Sequence, residues 1–362
     1  MAQTSLGMHG QLRVRTPEQR QQVLDAARTM LDKGPGTDLV WREDIYWSDM
    51  QPAEGGAYDW TIPDAVVAAA ADAGFRSWIV LSHPPAWATA PGGAADKGWP
   101  CPPYPDLVTA GGHSALAAYT AFCGAAAARY SRGGVFWNTY DGNPRPATHF
   151  EVWNEEYAWI GSMRWNGTTA VPGYSDPEAY AAIFNAAAPA ISASLFATPV
   201  AALCDQTWNS IPVGGQYLSV FLDELSVPLP AVSIHPYTEG YVSASTAPPS
   251  TVDRWKYFTQ VQTVRKRLVD EGYGTARIWV TEIGWPGAPS GFLTEQQQAA
   301  RYQDLWQVVQ QLGYVRGLFL FTSTNPDFPD NPALPGYQVN NVETWYGLWL
   351  TGTDARDLGI PK

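Results

Sequence analysis

Two glutamates in this chain stand where a rigid element would hold them out for chemistry. Phe150-Glu151-Val152-Trp153-Asn154-Glu155 and Ile278-Trp279-Val280-Thr281-Glu282 are runs of strand-forming residues, each ending in a glutamate with loop-forming and aromatic residues beyond it. A carboxylate at a strand tip is fixed by the sheet yet faces whatever lies above it. Two such carboxylates facing each other are the minimum equipment for cleaving a glycosidic bond, one as acid/base and one as nucleophile. A lone Glu after an apolar run would mean little. The pair, with Asn154 directly before Glu155 and aromatics beside both, makes the pattern specific. Glu155 and Glu156 are chain neighbours and cannot both point into one site; the Asn-Glu order selects Glu155. His83, ahead of Pro84-Pro85-Ala86-Trp87, and His235 also end apolar runs. Each either lines a subsite or orients a carboxylate, or is only a satisfied polar group. Glu151 and Asp44 stand equally between structural and functional roles.

The elements that must position these groups follow from hydrophobic patterning. Apolar runs of strand type fall at residues 5–9, 39–44, 77–82, 149–154, 195–200, 231–235, 277–282 and 317–322. Helical patterns fall between them, at 16–33, 63–73, 114–130, 176–193, 215–225, 251–271 and 294–312. Thr16, Asp176 and Thr294 stand as N-caps. Only a remnant of a last helix is expected, at 354–358. Such alternation requires parallel strands, and eight repeats close most naturally into a (β/α)8 TIM barrel, one α/β domain over 1–362 with no linker or accessory module. Connections after strands are long (84–112, 156–175, 236–250, 284–293, 323–346), whereas those before strands are mostly short. A barrel builds its site from the loops after its strands, so the long Pro/Gly/Trp-rich segments belong to a cleft. Trp47, Trp87, Trp99, Trp159, Trp165, Trp285 and Trp345 lie in those segments. Their flat faces match the C–H faces of sugar rings, although most aromatics in a chain of this length serve the core.

Composition narrows the partner. The 362 residues are 45% hydrophobic and 15% charged, with 22 basic against 34 acidic side chains and a formal charge of -12. No Lys/Arg cluster is present, so electrostatics oppose nucleic acid and anionic membrane. No run reaches the length of a membrane span. A neutral carbohydrate fits, and a monomer is expected. The five histidines show no close metal-ligand spacing and no phosphate-cradling loop is found, so neither metal nor cofactor is expected. Cys101, Cys123 and Cys204 are too scattered for a disulfide framework; free thiols are expected, with a Cys101–Cys123 bridge left open. Met1-Ala2-Gln3-Thr4 has the marks of no secretory leader. A secreted protein whose leader is absent from this chain is the expectation, with the cytoplasm as the alternative.

On these residues the chain resembles glycoside hydrolase clan A, the retaining (β/α)8 enzymes, over nearly its whole length. Asn154-Glu155 is similar to the clan's acid/base pair at the end of strand four, and Glu282 to its nucleophile at the end of strand seven. Trp41-Arg42 through Tyr46-Trp47-Ser48-Asp49-Met50-Gln51-Pro52, with Gly55 and Tyr58-Asp59-Trp60, resembles the opening of family 39 and related family 5 and 42 enzymes. The resemblance implies that Arg42 reaches the catalytic floor. Ser233-Ile234-His235-Pro236-Tyr237 looks like the clan's His-x-Tyr, which implies Tyr237 beside the nucleophile. Thr-Glu-Ile-Gly-Trp-Pro also resembles family 17. Many clan members floor the sugar with a tryptophan at the end of strand eight. Here that strand ends Phe321-Thr322-Ser323, so Phe321 or Trp345 takes that place.

The expectation is therefore a retaining glycosidase acting by double displacement on O-glycosidic bonds of a polysaccharide or oligosaccharide, with endo action preferred. Apolar neighbours such as Trp153 and the charge of Glu282 should raise the Glu155 pKa. Arg42 and Tyr237 should keep Glu282 ionised, and Asn154 should hold the sugar 2-hydroxyl. Two rival readings remain: a transglycosylase on the same scaffold, and a carbohydrate-binding barrel that has lost catalysis.

Overall fold

Short runs of β-branched and aromatic residues bounded by Gly, Pro and polar turns give strands, and here eight of them pair in parallel into a closed barrel. The computed structural model describes residues 4–32, 34, 36–89, 103–155, 163–165, 170–172, 177–203, 214–237, 251–285 and 295–321; at 163–165, 170–172, 214–216, 251–259 and 295 it describes the backbone alone. The barrel strands are β1 Ser5–His9, β2 Leu39–Tyr46, β3 Arg76–Ser82, β4 His149–Val152, β5 Thr198–Ala202, β6 Ala231–Ile234, β7 Arg277–Ile283 and β8 Val315–Phe321. Each pairs with its sequence neighbours, and β8 closes on β1. Helices α1 Pro17–Leu31, α2 Thr61–Asp72, α3 Ala115–Tyr130, α4 Pro177–Ser192, α5 Gly214–Asp223, α6 Thr251–Asp270 and α7 Glu295–Gln311 follow strands β1 to β7 in order. The TIM-barrel fold class expected from the alternation is the one observed. The expected remnant helix at 354–358 lies outside the described residues, as do Asp176 and Thr294. Thr16 does cap α1, in a reciprocal capping box with Gln19.

Most strand ends fall within two residues of the sequence reading, and two of the differences have a clear physical reason. β5 begins at Thr198, not at 195, because Leu195 and Phe196 lie in a turn, each 60% exposed, and Phe196 has φ 60°. β4 stops at Val152 because Trp153 and Glu155 adopt left-handed backbone, with φ 72° and 44°, which no strand accommodates.

The barrel interior is filled by large rings. Val40, Trp78, Val80, Val200, Ala231, Trp279 and Phe319 form one buried cluster, separate from the larger core between strands and helices. Trp78 lies 5.0 Å from Trp279 and 5.3 Å from Phe319, centroid to centroid. Two glycines make the space. A Cβ on Gly7 would come 2.3 Å from the Phe319 ring, and one on Gly317 2.2 Å from Trp279. Helices then pin the strand ends. Tyr119 of α3 donates to the Leu81 carbonyl at 2.6 Å, and Tyr180 of α4 donates to that of Val152 at 2.9 Å while accepting from Ala202 N–H at 2.6 Å. Tyr180 thus ties the C-terminal ends of β4 and β5 to each other, and Tyr119 ties that of β3 to α3. Cys123 of α3 is buried and free; Cys101 and Cys204 lie outside the described residues. Among the described residues no helix is long and apolar enough to cross a membrane.

Candidate active site

Above the aromatic layer, the next inward-facing residues of the strands are polar and converge. Arg42 of β2 is fully buried and is the hub. Its Nε donates to Glu151 Oε2 at 2.9 Å and its Nη2 to Glu151 Oε1 at 3.0 Å, a bidentate pair. Nη1 donates to Glu282 Oε1 at 2.5 Å, and Nη2 also reaches Asn154 Oδ1 at 2.7 Å. Glu151 further accepts from Trp78 Nε1 at 2.6 Å and Ser233 Oγ at 2.7 Å. Completely buried and so occupied, Glu151 is the counter-ion that holds Arg42, which resolves its double reading from the sequence. Arg42 lies in contact with Glu282 and Asn154. Being sealed from solvent, it acts on Glu282 and Asn154 and is not a sugar ligand in this structure.

Glu282 owes its direction to a bulge. From Leu318 to Leu320 the partner positions on β7 run from Val280 to Ile283, so three steps on β7 oppose two on β8. Strict alternation from the inward Trp279 would turn Glu282 outward; the extra residue aims it into the barrel mouth. There His9 Nδ1 lies 2.9 Å from Oε1, while Tyr237 Oη donates to Oε2 at 3.2 Å and His235 Nδ1 stands 3.5 Å from Oε2. Burial opposes ionisation of Glu282, but the charges of His9 and Arg42 and the hydrogen bond from His9 outweigh it and hold the carboxyl well below the usual carboxylate range. His9 is buried as well. Its burial works against a proton, yet the Glu282 charge and bonds to Asp44 and Glu282 prevail over that and over Arg42, lifting it to about 9. Asp44 is held down to about 2 despite burial, by its hydrogen bond to His9 and by the positive charges around it.

Glu155 reaches the site through strained backbone. Three of the four non-glycine residues with positive φ among the described residues (His83 at 52°, Trp153 and Glu155) follow the ends of β3 and β4 at this mouth. Each such conformation costs on the order of 1–3 kcal/mol and marks positions where geometry is over-determined. Glu155 Oε1 meets His235 Nδ1 at 2.8 Å. Burial pushes His235 down to about 4, so it is neutral at pH 7, and the ionised Glu282 favours the tautomer with hydrogen on Nδ1. Donor atoms of Glu155, His235 and Glu282 all lie within 4.8 Å of one another. Spacing along the chain gave no hint of this trio, which comes from β7 and from the residues just past β4 and β6. Distance alone would let it hold a metal ion, but a cation there would face Arg42 and a protonated His9, which already occupy Glu282 Oε1.

The remaining sequence candidates divide. Phe321, at the end of β8, sets its ring edge-on to His9 at 5.5 Å and to Tyr237 at 6.4 Å, beside the supports of Glu282. His83 stacks on Tyr46 at 3.6 Å and lies 2.8 Å from Ser82 Oγ; burial lowers its pKa to about 4. Two candidates require correction. Trp47 is fully buried, stacked on Phe122 at 5.6 Å with its N–H given to Gln51 Oε1, so it serves the core and not a sugar. Trp285 is also buried, edge-on to Tyr302 at 5.2 Å. Trp87 is half-buried against Trp47, and its N–H is taken by the Gln51 carbonyl. Trp159 and Trp345, like Trp99, lie outside the described residues, and Trp165 is described in backbone alone. The sequence reading missed His9. The signal was present, because Ser5, Gly7 and His9 share the inward parity of β1 and His9 is its last residue.

No protein-family model matches this chain, and no curated protein matches it in sequence. Solved structures do match in fold. One is a family 39 glycoside hydrolase from the gut symbiont Bacteroides cellulosilyticus, at 17% identity and a TM-score of 0.59, aligned over 96% of this chain and 60% of that one. A second is GH5_18 from Streptomyces cattleya, solved with GlcNAc, at 15% identity and a TM-score of 0.62 over 99% and 78% of the two chains. A third is an intracellular xylanase from Thermoanaerobacterium saccharolyticum, solved with xylotriose, at 13% identity and a TM-score of 0.55 over 96% and 91%. This chain therefore spans about three fifths of the family 39 structure. Its structural neighbours are glycoside hydrolases with the same eight-stranded parallel barrel, a likeness of fold that agrees with the clan A resemblance of the strand-end motifs.

Proposed function

We propose that the protein is a retaining glycoside hydrolase with Glu282 as nucleophile and Glu155 as acid/base. The observation that carries this reading is that one carboxylate oxygen of Glu155 and one of Glu282 lie within 4.8 Å of each other at the mouth of the barrel. Retaining enzymes hold theirs about 5–5.5 Å apart, whereas inverting enzymes leave about 6.5–9.5 Å for a water between them. In the first step a Glu282 oxygen bonds to the anomeric carbon as the glycosidic bond breaks, and the departing oxygen takes the proton of Glu155. In the second, water bonds to that carbon and gives a proton to Glu155, and the bonding pair returns to Glu282. Arg42 and His9 support the ionised nucleophile before attack. Asn154, its Oδ1 bonded to Arg42, has its Nδ2 left to donate to the sugar 2-hydroxyl.

The substrate is a polysaccharide or oligosaccharide of β-D-glycosides or sterically equivalent α-L-arabinofuranosides, and the long loops after strands favour endo action. The transglycosylase reading loses part of its motive, because Trp47 and Trp285 serve the core and not an acceptor subsite. A panel of polysaccharides and aryl glycosides, read by chromatography for wild type, Glu155→Gln and Glu282→Gln, tests the proposal. Turnover by wild type that survives in Glu282→Gln would sink it. Monosaccharide release with polymer length unchanged would overturn endo action alone.

A further inference from the structure

The two oxygens of Glu282 are not equivalent. Among the described residues, Oε1 receives Arg42 Nη1 at 2.5 Å and His9 Nδ1 at 2.9 Å, whereas Oε2 has the Tyr237 hydroxyl at 3.2 Å and His235 Nδ1 at 3.5 Å. His9 is itself clamped. Its Nε2 lies 3.2 Å from Asp44 Oδ2, Asp44 Oδ1 accepts from Ser82 Oγ at 3.2 Å, and the Phe321 ring stands 5.5 Å away. Both ring nitrogens thus face carboxylate oxygens, and only an imidazolium can donate to both. Arg42 Nη1 also lies 2.6 Å from His9 Nδ1, a contact that is a hydrogen bond when Nδ1 carries no proton and a crowded pair of donors on one oxygen when it does. The cluster of Arg42 and His9 against Asp44, Glu151 and Glu282 has room for both positive charges.

We propose that His9, held by Asp44, is a positioning residue that pins Oε1 of Glu282, so that Oε2 is the oxygen that bonds to the anomeric carbon. This inference rests on the glycosidase reading above. In the first step an Oε2 lone pair forms the bond to carbon, the carboxylate becomes a neutral ester, and the pull of His9 on its charge is lost. In the second the carbon–Oε2 bond breaks, the pair returns to the carboxylate, and the negative charge reappears on Oε1 against His9 and Arg42. A fixed positive charge there favours the step in which charge returns. His9 therefore assists breakdown of the glycosyl-enzyme more than its formation.

The test compares wild type, His9→Asn and Asp44→Asn by stopped flow on a 2,4-dinitrophenyl β-glycoside that the wild type hydrolyses. The Asn amide keeps a donor where His9 Nδ1 stands but carries no charge and makes no link to Asp44. In His9→Asn, kcat should fall about tenfold and KM fall with it, kcat/KM should change by less than about threefold, and dinitrophenolate should appear in a burst stoichiometric with enzyme. Asp44→Asn should show the same split more weakly, and it carries the test if His9→Asn does not fold. Equal losses in kcat and kcat/KM without a burst, or unchanged kinetics, in a variant that melts like wild type would overturn the role of His9. If instead Glu282→Gln turns over as fast as wild type, the glycosidase reading itself fails and this one with it.

Discussion

Replacing Arg42 with methionine removes the hub of the site at nearly constant length, and its cost can be worked from the contacts. The guanidinium is fully buried and satisfies three groups: Glu151 in bidentate fashion, Glu282 Oε1 and Asn154 Oδ1. Glu151 would keep Trp78 and Ser233 as donors but lose its counter-charge. Removing one partner of a buried ion pair costs about 3–5 kcal/mol, because the other charge stays buried and uncompensated. Against a total stability of about 5–15 kcal/mol that is a large fraction. Urea unfolding at pH 7 should therefore show Arg42→Met destabilised by about 3–5 kcal/mol. The double variant Arg42→Met/Glu151→Gln should recover part of this, with a coupling of about 1–3 kcal/mol between the two sites. A cost below about 1 kcal/mol, or strictly additive effects, would refute the view that Arg42 balances charge inside the barrel.

Other expectations follow from single contacts. Gly317→Ala drives a Cβ to 2.2 Å from the Trp279 ring and should cost about 1–3 kcal/mol. Thermal melting should show that loss, with relief when Trp279→Phe is added; an unchanged melting temperature would contradict the filled interior. His83, His149 and His235 are pushed by burial to about 4, 3 and 4, below their ordinary value of 6.5. From pH 6.5 down to 4 the unfolded chain binds more protons than the folded one, so stability should fall across that window. Urea midpoints at pH 6.5 and 4.5 measure it, and a flat profile would count against neutral burial of these rings. His9 has the opposite sign: raised to about 9, its contribution is full below 6.5 and fades as pH rises through 9. Glu155→Gln should slow hydrolysis of substrates with poor leaving groups by about 100-fold or more, while sparing the first step on a dinitrophenyl glycoside. Equal losses on both substrates would remove Glu155 from the acid role.

The eight strands were legible because each is a short apolar run bounded by turn residues, and the paired glutamates were legible because each ends such a run. Leu195 and Phe196 misled at β5, since an apolar pair in an exposed turn is locally indistinguishable from the start of a strand. What the sequence could not show was direction. The bulge that turns Glu282 inward and the left-handed residues Trp153 and Glu155 arise from pairing between strands, not from local propensity. His9 carried its signal only in the parity of β1. Trp47 looked like a sugar platform by position, yet neighbours remote in sequence, such as Phe122, draw it into the core. Glu151 could be assigned as a counter-ion only once Arg42, Trp78 and Ser233 were seen around it.

The pairing of Glu155 and Glu282 as a retaining couple is tested most directly by trapping the covalent intermediate. Wild-type protein would be incubated with activated 2-deoxy-2-fluoro-β-glycosides, of the sugars that the substrate panel identifies, and digested for peptide mass spectrometry. The account predicts one label per chain, the mass of a fluoroglycosyl group on the peptide carrying Ile278 to Gly284, with the modified residue at Glu282. A label on Glu155 or elsewhere, or turnover that yields the inverted anomer with no label at all, would contradict it.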